Sequence, residues 1–511
     1  MTDPGVTPHW MRRLLDGIVR SGELELCGLV APVAPPPAAP VHPFYRIWNR
    51  IEARVAARPP EREFPALANA LAGLPAYGPG DERELAALGL DVVLDLSGNC
   101  GRTLGAQLAN EGVWFPDCVG PHAGTAGLDA IIARAPSSSL ALLRKVAGKG
   151  SPELIAKGEL NTKFIAARHE LYAQEKSVPL ILRELRRAHR GGIVAMEGEP
   201  RSASPAPPDL TRTYHYLRRM LGEAGSRSVD GLRARCGQRP GMFSLNTVSA
   251  DVLDFDPAQA MPWILPGNRY QADPFLWEHL GRTYCFFETY DYDTHKGSIS
   301  VGELADQGLI NVRTALSTDC HLSFPFLFEH EGQLFMMPES CGNKRLEIWR
   351  CTQFPDHWEL HSTALEGCVA ADSHLASIGE DWWLFTNISD DPFGDMSSEL
   401  HLFRVDGPDL ANPIPHPLNP VVFGSRTARN AGRLIERGGI FYRPSQDNSH
   451  GVYGYGLNIM RIDHISLEDY SETLVRRIEP DFREGIIGCH HVDTRGDLVV
   501  FDTRMARGGR G

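Results

Sequence analysis

Asp273-Pro-Phe-Leu-Trp-Glu-His-Leu-Gly281-Arg-Thr-Tyr-Cys-Phe-Phe-Glu288 is the stretch that decides the fold of the C-terminal half, because near-copies of it follow along the chain. Each copy has a short apolar strand, a turn with glycine and a second, apolar or aromatic strand. The other copies occupy residues 324–339, 372–387, 432–443 and 490–502. Their spacing suits the roughly 40–60 residues of a four-stranded blade, and the glycine suits the positive φ of a tight hairpin. The pattern predicts a five-bladed β-propeller.

The last copy ends close to the C-terminus, so it lacks outer strands of its own. Two apolar stretches, Phe243–Val248 and Trp263–Leu265, precede the first copy. A propeller leaves only short, protected edges when its ring is closed. We therefore expect residues 241–265 to complete the last blade and close the ring.

Composition limits the possible classes of protein. At 511 residues the chain predicts two or three domains, and its net charge of −13 disfavours binding to nucleic acid or to an anionic membrane without a basic patch. Ten cysteines without a Cys-x-x-Cys pair favour reduced thiols over a disulfide framework or zinc site. With no signal-like start and no long apolar segment, we expect a cytoplasmic protein without membrane insertion.

The N-terminal half has a different pattern. Residues 10–19 and 161–189 have helical spacing, and Asp91-Val-Val-Leu-Asp-Leu96 is typical of a strand buried on both faces. Alternating strands and helices predict a doubly wound sheet. We thus expect a multidomain protein with an α/β domain at 1–195, a linker with bridging helices at 196–240, and an all-β propeller at 241–505.

The repeats place polar residues at corresponding positions. In an antiparallel hairpin, the start of the first strand and the end of the second lie at one edge. Asp273, Asp372 and His490 occupy strand starts, and Glu288, Glu339, Asn387, Gln446 and Asp447 occupy strand ends. Crowded carboxyl groups have raised pKa values, which glycoside cleavage exploits by pairing a protonated acid with an ionised carboxylate.

Further polar residues flank these positions. Arg429, Arg433 and Arg443 are candidates to clamp a phosphate, a carboxylate or a sugar hydroxyl. His490 and His491 would point to opposite faces of a strand, so one of them would line the channel. They are too few to predict a metal site.

Asp91–Leu96, Gly112-Val-Trp-Phe115 and the helix at 162–187 resemble the N-terminal domain of the formyltransferase family, over about residues 1–195. This resemblance implies a Rossmann-like sheet. Active members carry Asn-x-His after the strand that corresponds to 112–115, followed by a later Asp. This chain has no Asn-x-His there. His122 and Asp117 are either displaced substitutes or ordinary loop residues, and only the first alternative implies a tetrahydrofolate formyl donor.

Residues 240–505 are similar to the five-bladed domain of plant glucosamine inositolphosphorylceramide transferases and, more distantly, to arabinanase- and levansucrase-type glycosidases. The resemblance rests on Ala272-Asp-Pro274, Met337-Pro-Glu-Ser340, Ala371-Asp372, Arg429-Asn-Ala-Gly-Arg433 and Gly488-Cys-His-His491. It implies that Asp273 acts as base or nucleophile and that Asp372 tunes pKa and orients. Glu339 is our candidate for the general acid.

Three hypotheses follow. The leading one is an enzyme that acts on a glycoside or related small polar metabolite through Asp273, Glu339 and Asp372, without a cofactor. The second is a biosynthetic acyl- or formyltransferase that uses the N-terminal domain. The third is a scaffold that binds a ligand in the polar funnel and releases it unchanged.

Overall fold

The structure is a computed structural model that describes residues 7–31, 41–55, 64–78, 80–98, 104–120, 122, 124–197, 207–235, 241–263, 269–306 and 308–506. It divides into two compact units. One comprises Met1–Arg227 with Asp391–Gly394, and the other comprises Ser228–Asp390 with Asp395–Gly511. Of the expected linker and bridging helices at 196–240, residues 198–206 and 236–240 lie outside the described residues.

The first unit is built from helices and short strands. In chain order they are α1 (His9–Arg20), β1 (Leu29–Val30), α2 (Pro43–Val55), α3 (Pro65–Ala72), β2 (Ala76–Tyr77), α4 (Glu82–Ala87), β3 (Val93–Leu94), β4 (Val113–Pro116), α5 (Leu128–Ala133), β5 (Ser137–Lys145), β6 (Glu153–Asn161) and α6 (Ala166–His189). Helix α7 (Leu210–Arg235) begins in this unit and continues into the second.

The larger sheet of the first unit is mixed. Its order is β3-β4-β5-β6, with β3 and β4 parallel but β4–β5 and β5–β6 antiparallel. Strands β1 and β2 form a separate parallel pair. An α/β unit is therefore present, whereas these strands do not confirm a doubly wound, Rossmann-like sheet.

Helix α6 continues through Pro179, in agreement with the helical spacing of residues 161–189. A proline lacks the N–H that would bond the carbonyl four residues earlier. That carbonyl, of Glu175, accepts a hydrogen bond from Arg13 Nη1 of α1 at 2.9 Å, and Arg13 also pairs with the Glu175 carboxylate at 3.0 Å. Arg13 thus satisfies the group that proline leaves unpaired. No helix in the described part of the chain is long and apolar enough to span a bilayer.

Among the described residues, the second unit contains five antiparallel sheets. Three of them have four strands in consecutive order, one has five strands, and one joins strands from both ends of the unit. The first two blades contain β9 (Arg269–His279), β10 (Arg282–Asp291), β11 (Lys296–Ala305) and β12 (Gly308–Leu316), then β13 (Ser323–His330), β14 (Gln333–Glu339), β15 (Leu346–Gln353) and β16 (His357–Ala364). The third contains β17 (Ala370–Ile378), β18 (Asp381–Ile388), β19 (Glu399–Val405), β20 (Ile414–Pro415) and β21 (Val422–Phe423).

The fourth blade contains β22 (Ile435–Arg437), β23 (Ile440–Asp447), β24 (Gly456–Ile465) and β25 (Tyr470–Ile478). The fifth combines both ends of the unit, namely β7 (Met242–Ser249) and β8 (Met261–Trp263) with β26 (Ile486–Gly488), β27 (Val492–Arg495) and β28 (Leu498–Met505). Strand β28 pairs with β7, which pairs with β8. The expected closure is confirmed, although Ile264 and Leu265 lie outside the described residues.

A bulge recurs where the first strand of a blade begins. Pairing shifts register around Asp273 in the first blade, Phe324 in the second and Asp372 in the third. These residues have φ of +52°, +46° and +45°, which is unfavourable for residues other than glycine. Bulges re-aim side chains and are common beside active sites. The fold thus repeats one strained position near the channel.

Candidate functional site

The polar ends of the blades meet at one mouth of the channel, as the hairpin geometry predicted. Glu288 pairs in register with Ala272, Glu339 with Ser323 and Asn387 with Ala371, so each strand end lies beside a strand start. We define the acid mouth as eight residues: five with carboxyl groups, the arginine and the histidine that pair with four of those groups, and one tyrosine beside these two cations. Its members are Asp273, Glu288, Glu339, Asp372, Asp502, Arg429, His490 and Tyr453.

Asp273 shares a buried cluster with His490 and Asp502. His490 Nε2 lies 3.5 Å from Asp273 Oδ1, and His490 Nδ1 lies 2.8 Å from Asp502 Oδ2. Asp502 Oδ1 also accepts the backbone N–H of His490 at 2.9 Å. Ligand atoms of these three residues lie within 4.8 Å of one another, a donor set that metal ions also accept. Their mutual contacts describe an ion-paired cluster around a central imidazole.

Asp372 lies in a second cluster with Arg429. Arg429 Nε donates to Asp372 Oδ2 at 2.6 Å, and Gln446 Nε2 donates to the same oxygen at 2.9 Å. Arg429 Nη2 lies 3.5 Å from Glu339 Oε2, which accepts the backbone N–H of Asp372 at 3.1 Å. Arg429 therefore connects two of the three predicted catalytic carboxyl groups.

Burial dominates the protonation of the two aspartates. It raises the pKa of Asp273 to about 7 against the opposing charge of His490, with Asp372 and Asp502 adding to the rise. Burial likewise raises the pKa of Asp372 to about 7, against the charge of Arg429. Burial and the charge of Asp273 raise the pKa of Glu288. Each group therefore has a tendency to hold a proton near neutral pH.

The His490–Asp502 pair is shifted the other way. Burial alone would lower the pKa of His490, but the charge and hydrogen bond of Asp502 raise it to about 8. Burial alone would raise the pKa of Asp502, yet the charge and hydrogen bond of His490 lower it. This pair is therefore imidazolium and carboxylate at neutral pH.

Two residues of the acid mouth escaped the sequence analysis. Asp502 ends the second strand of the fifth repeat, the same position as Glu288 and Glu339, so the repeat pattern was sufficient to find it. Tyr453 lies in a loop that does not repeat, and nothing in the sequence marked it. Its side chain is 43% exposed, with its ring 5.3 Å from that of His490 and 5.1 Å from the Arg429 guanidinium.

The carboxyl groups also connect neighbouring blades. The backbone N–H of Asp273 donates to Asp502 Oδ2 at 3.2 Å, and that of Phe324 donates to Asp273 Oδ2 at 3.2 Å. The N–H of Asp372 donates to Glu339, and that of Asn430 donates to Asn387 Oδ1 at 2.9 Å. One polar side chain thus accepts from the next blade at four of the five junctions. These groups have a structural role whether or not they have a chemical one.

Three of the predicted substrate-binding residues are enclosed by protein. Arg443 is fully buried and donates to Glu472 at 2.8 and 2.6 Å and to the carbonyl of Thr427 at 2.7 Å. Asn387 donates to the carbonyls of Glu399 and Ala428, and Asp447 accepts from Ser449 N and Arg426 Nε. Their polar atoms bond buried protein partners, which gives all three a role within the fold, and their contact with substrate stays a prediction.

Arg433 and His491 also lie away from the acid mouth. Arg433 Nε and Nη2 donate to Asp493 at 2.7 and 3.0 Å, and Nη2 also donates to the carbonyl of Leu276 at 3.1 Å. His491 packs between the rings of Phe275 and Phe324, at 4.6 and 5.2 Å. Burial lowers its pKa to about 3, so it is neutral. These contacts give both residues a role within the fold, and substrate binding by Arg433 and His491 stays a prediction.

A pocket of about 540 Å³ lies at the opposite ends of the first strands. Its walls come from all five blades, and they include Trp277, Phe328, Ser377, Arg433 and Arg495. We call this pocket the second mouth. Asp273 begins the regular part of β9, whereas Trp277 is near its end, so the two mouths lie on opposite sides of the channel.

The N-terminal pair has the features of loop residues. Asp117 Oδ1 accepts the backbone N–H of Ala141 at 2.9 Å, which holds the loop after β4 against β5. The carbonyl of His122 accepts from the Thr125 hydroxyl at 2.7 Å. These contacts favour the loop alternative over a displaced formyl-transfer centre.

Known proteins resemble the propeller half. Residues 258–485 match the family model described as Glucosamine inositolphosphorylceramide transferase 1, N-terminal. The protein of that name from Oryza sativa subsp. japonica is 33% identical over 239 residues, covering 45% of this chain and 32% of the relative. The Arabidopsis thaliana protein is 33% identical over 215 residues, covering 41% of this chain and 28% of the relative. The chain thus spans about a third of the length of these relatives.

Two solved structures align with part of the chain. The crystal structure of alpha-L-arabinofuranosidase from Lactobacillus brevis has a TM-score of 0.35 and 15% identity, covering 47% of this chain and 86% of that one. CoXyl43, a GH43 beta-xylosidase/alpha-arabinofuranosidase from a compost microbial metagenome, has a TM-score of 0.36 and 12% identity, covering 46% and 85%. The match to the family model locates the sequence similarity at residues 258–485, within the propeller.

Proposed function

We propose that the chain is an enzyme that acts on a glycoside or glycoconjugate at the acid mouth. The observation that carries this proposal is the convergence of Asp273, Glu339 and Asp372 around Arg429 and His490. Among the described residues, the cluster brings five carboxyl groups to two cations. Such an excess is costly unless some of the carboxyl groups hold protons, which is the state that glycoside chemistry needs.

Each carboxyl group has a distinct role in this proposal. Glu339, whose side chain is 13% exposed, donates a proton to the leaving oxygen as the glycosidic bond breaks. Asp273 accepts the proton of the attacking water or acceptor hydroxyl, or attacks the anomeric carbon itself. Asp372, fixed by Arg429 and Gln446, orients the other two and adjusts their charge. No cofactor takes part.

The exposed ring of Tyr453 supports a sugar as the bound group. A partly exposed aromatic ring beside carboxyl groups offers an apolar face for the C–H face of a pyranose or furanose, and the neighbouring polar groups serve its hydroxyls. The names of the plant relatives make glucosamine-containing and inositol-containing glycoconjugates the first compounds to test.

The test uses the full chain and three substitutions, Asp273→Asn, Glu339→Gln and Asp372→Asn. We expect each to lower turnover about 10²–10⁴-fold, the usual contribution of a general acid or base. Glu359→Gln is the matched control, because Glu359 is 66% exposed in a surface pair with Arg350. Bond cleavage or transfer is followed by mass spectrometry on aryl glycosides and on the glycoconjugates above. Full turnover in all three variants would refute the proposal.

A second candidate function is recognition of a sugar without turnover. The hydrogen bonds that these carboxyl groups accept from neighbouring blades favour it, because they give the acids a role that needs no reaction. Calorimetry separates the two candidates. A glycoconjugate that binds the acid mouth but is recovered intact in every case supports recognition and contradicts catalysis.

A further inference from the structure

Helix α2 exposes a continuous apolar stripe on the surface of the first unit. Phe44, Ile47, Ile51 and Val55 are 47%, 57%, 46% and 77% exposed. Their spacing of three and four residues places them on one helix face. Single exposed apolar residues are ordinary, whereas four along one face mark an interaction surface.

The charged residues of α2 that are exposed to solvent are all basic. Arg46, Arg50 and Arg54 are exposed beside the stripe. The acidic residue of the helix, Glu52, is buried and accepts hydrogen bonds from Trp48 Nε1 at 2.5 Å and Tyr216 at 2.6 Å. The exposed surface of α2 therefore combines apolar side chains with arginines and presents no carboxylate of its own.

Helix α7 packs against the inner face of α2 and exposes apolar side chains of its own. Tyr45 of α2 packs edge-on against Tyr216 of α7 at 6.1 Å, and Tyr216 bonds Glu52. The same part of α7 exposes Leu210, Tyr214 and Leu221, at spacings of four and seven residues. Among the described residues, these partners contact the inner face of α2, while its outer face is exposed to solvent.

We propose that α2 docks the protein onto an anionic lipid surface. A helix with an apolar face and flanking arginines lies in the plane of the interface, with its apolar side chains among the acyl chains and its arginines at the headgroups. The net charge of −13 does not prevent this, because charges farther away than about 8–10 Å are screened at physiological salt. The membrane is bound from one side and is not crossed.

The experiment is flotation of the full chain with phosphatidylcholine vesicles and with vesicles of equal parts phosphatidylcholine and phosphatidylglycerol. We expect retention on the anionic vesicles and release at high salt. Arg50→Gln with Arg54→Gln should weaken binding about 30-fold, since each basic residue near the surface contributes about 1 kcal/mol. Ile47→Ser with Ile51→Ser should abolish retention.

The matched control carries Leu280→Ser and Arg282→Gln, both at an exposed hairpin turn of the first blade. It should bind as the unchanged protein does, and thermal unfolding should show that all variants are folded. Failure to bind anionic vesicles, or equal binding by the α2 variants, would overturn the proposal. A loss of oligomeric mass in the α2 variants, measured by light scattering, would also overturn it by identifying the stripe as an interface between copies.

Discussion

The two mouths of the propeller channel contain the same kinds of charged group in different proportions. At the acid mouth, five carboxyl groups share two cations, and the pKa values of Asp273 and Asp372 rise to about 7. At the second mouth, Arg433 pairs with the buried Asp493, while the other acidic side chains of the wall, Glu278, Glu329 and Glu436, are exposed to solvent. A buried charge that is matched stabilises the fold, whereas a buried excess of one sign leaves protons that chemistry can use.

The largest effect on stability should come from breaking the Arg433–Asp493 ion pair. Arg433→Met leaves Asp493, which is fully buried, without its cation. We expect the free energy of unfolding to fall by about 3–5 kcal/mol, as measured by denaturant titration. Arg350→Met, in an exposed pair with Glu359, should change it by about 1 kcal/mol or less. An equally small change for Arg433→Met would mean that the second mouth is not held by this pair.

A smaller effect on stability, one that depends on pH, is expected from the acid mouth. The pKa of Asp273 is raised from 3.8 to about 7, so the folded protein binds a proton that the unfolded chain has lost. The contribution of Asp273 to the free energy of unfolding should therefore be complete below pH 4. It should decline by about 1–3 kcal/mol as pH rises to about 7. Asp372 has the same sign. The pKa of His490, raised from 6.5 to about 8, adds a further decline in stability between about pH 6.5 and pH 8.

Asp273→Asn is the variant that tests this pH dependence. It removes one titrating group, so unfolding free energy measured from pH 4 to pH 8 should vary less than in the unchanged protein. An unchanged profile would show that Asp273 is ionised in the folded state and that the excess of carboxyl groups is tolerated without protonation.

The smallest expected effect concerns the aromatic rings. Tyr453→Ala removes the exposed ring at the acid mouth and should raise KM about tenfold, the equivalent of about 1.4 kcal/mol. Tyr453→Phe keeps the ring and should leave KM within about twofold. Trp277→Phe at the second mouth should have no effect on KM. A larger change from Trp277 than from Tyr453 would place the substrate at the wrong mouth for the proposed chemistry.

The repeat allowed the propeller to be predicted in some detail. The five hairpins, the turn glycines such as Gly281 and Gly332, and the pairing of residues 241–263 with the last blade all follow from it. A period of two in each strand and a glycine at each turn are local properties, so a sequence can display them. The N-terminal sheet had no such repeat, and its antiparallel strands β5 and β6 were not anticipated.

The sequence predicted the edge of the propeller at which the acids collect, but not the contacts that each side chain makes there. Asp273, Glu339 and Asp372 meet because hairpin edges meet. By contrast, the sequence did not distinguish the roles of Arg443 and Arg429. Arg443 bonds Glu472 within the fourth blade, while Arg429 reaches Asp372 in the third. Which partner an arginine finds depends on how blades pack, and this is a long-range property that spacing does not encode.

The sequence by itself determined the number of blades, the closure of the ring and the edge at which the acids collect, because each depends on local periodicity and chain order. The tertiary structure alone decided which charges are matched, since burial and distance set the pKa of Asp273 and the partner of Arg433. It also decided where the arginines of α2 face. A net charge of −13 is a sum over the chain, and only folding separates a basic, apolar helix face from the acids that outnumber it.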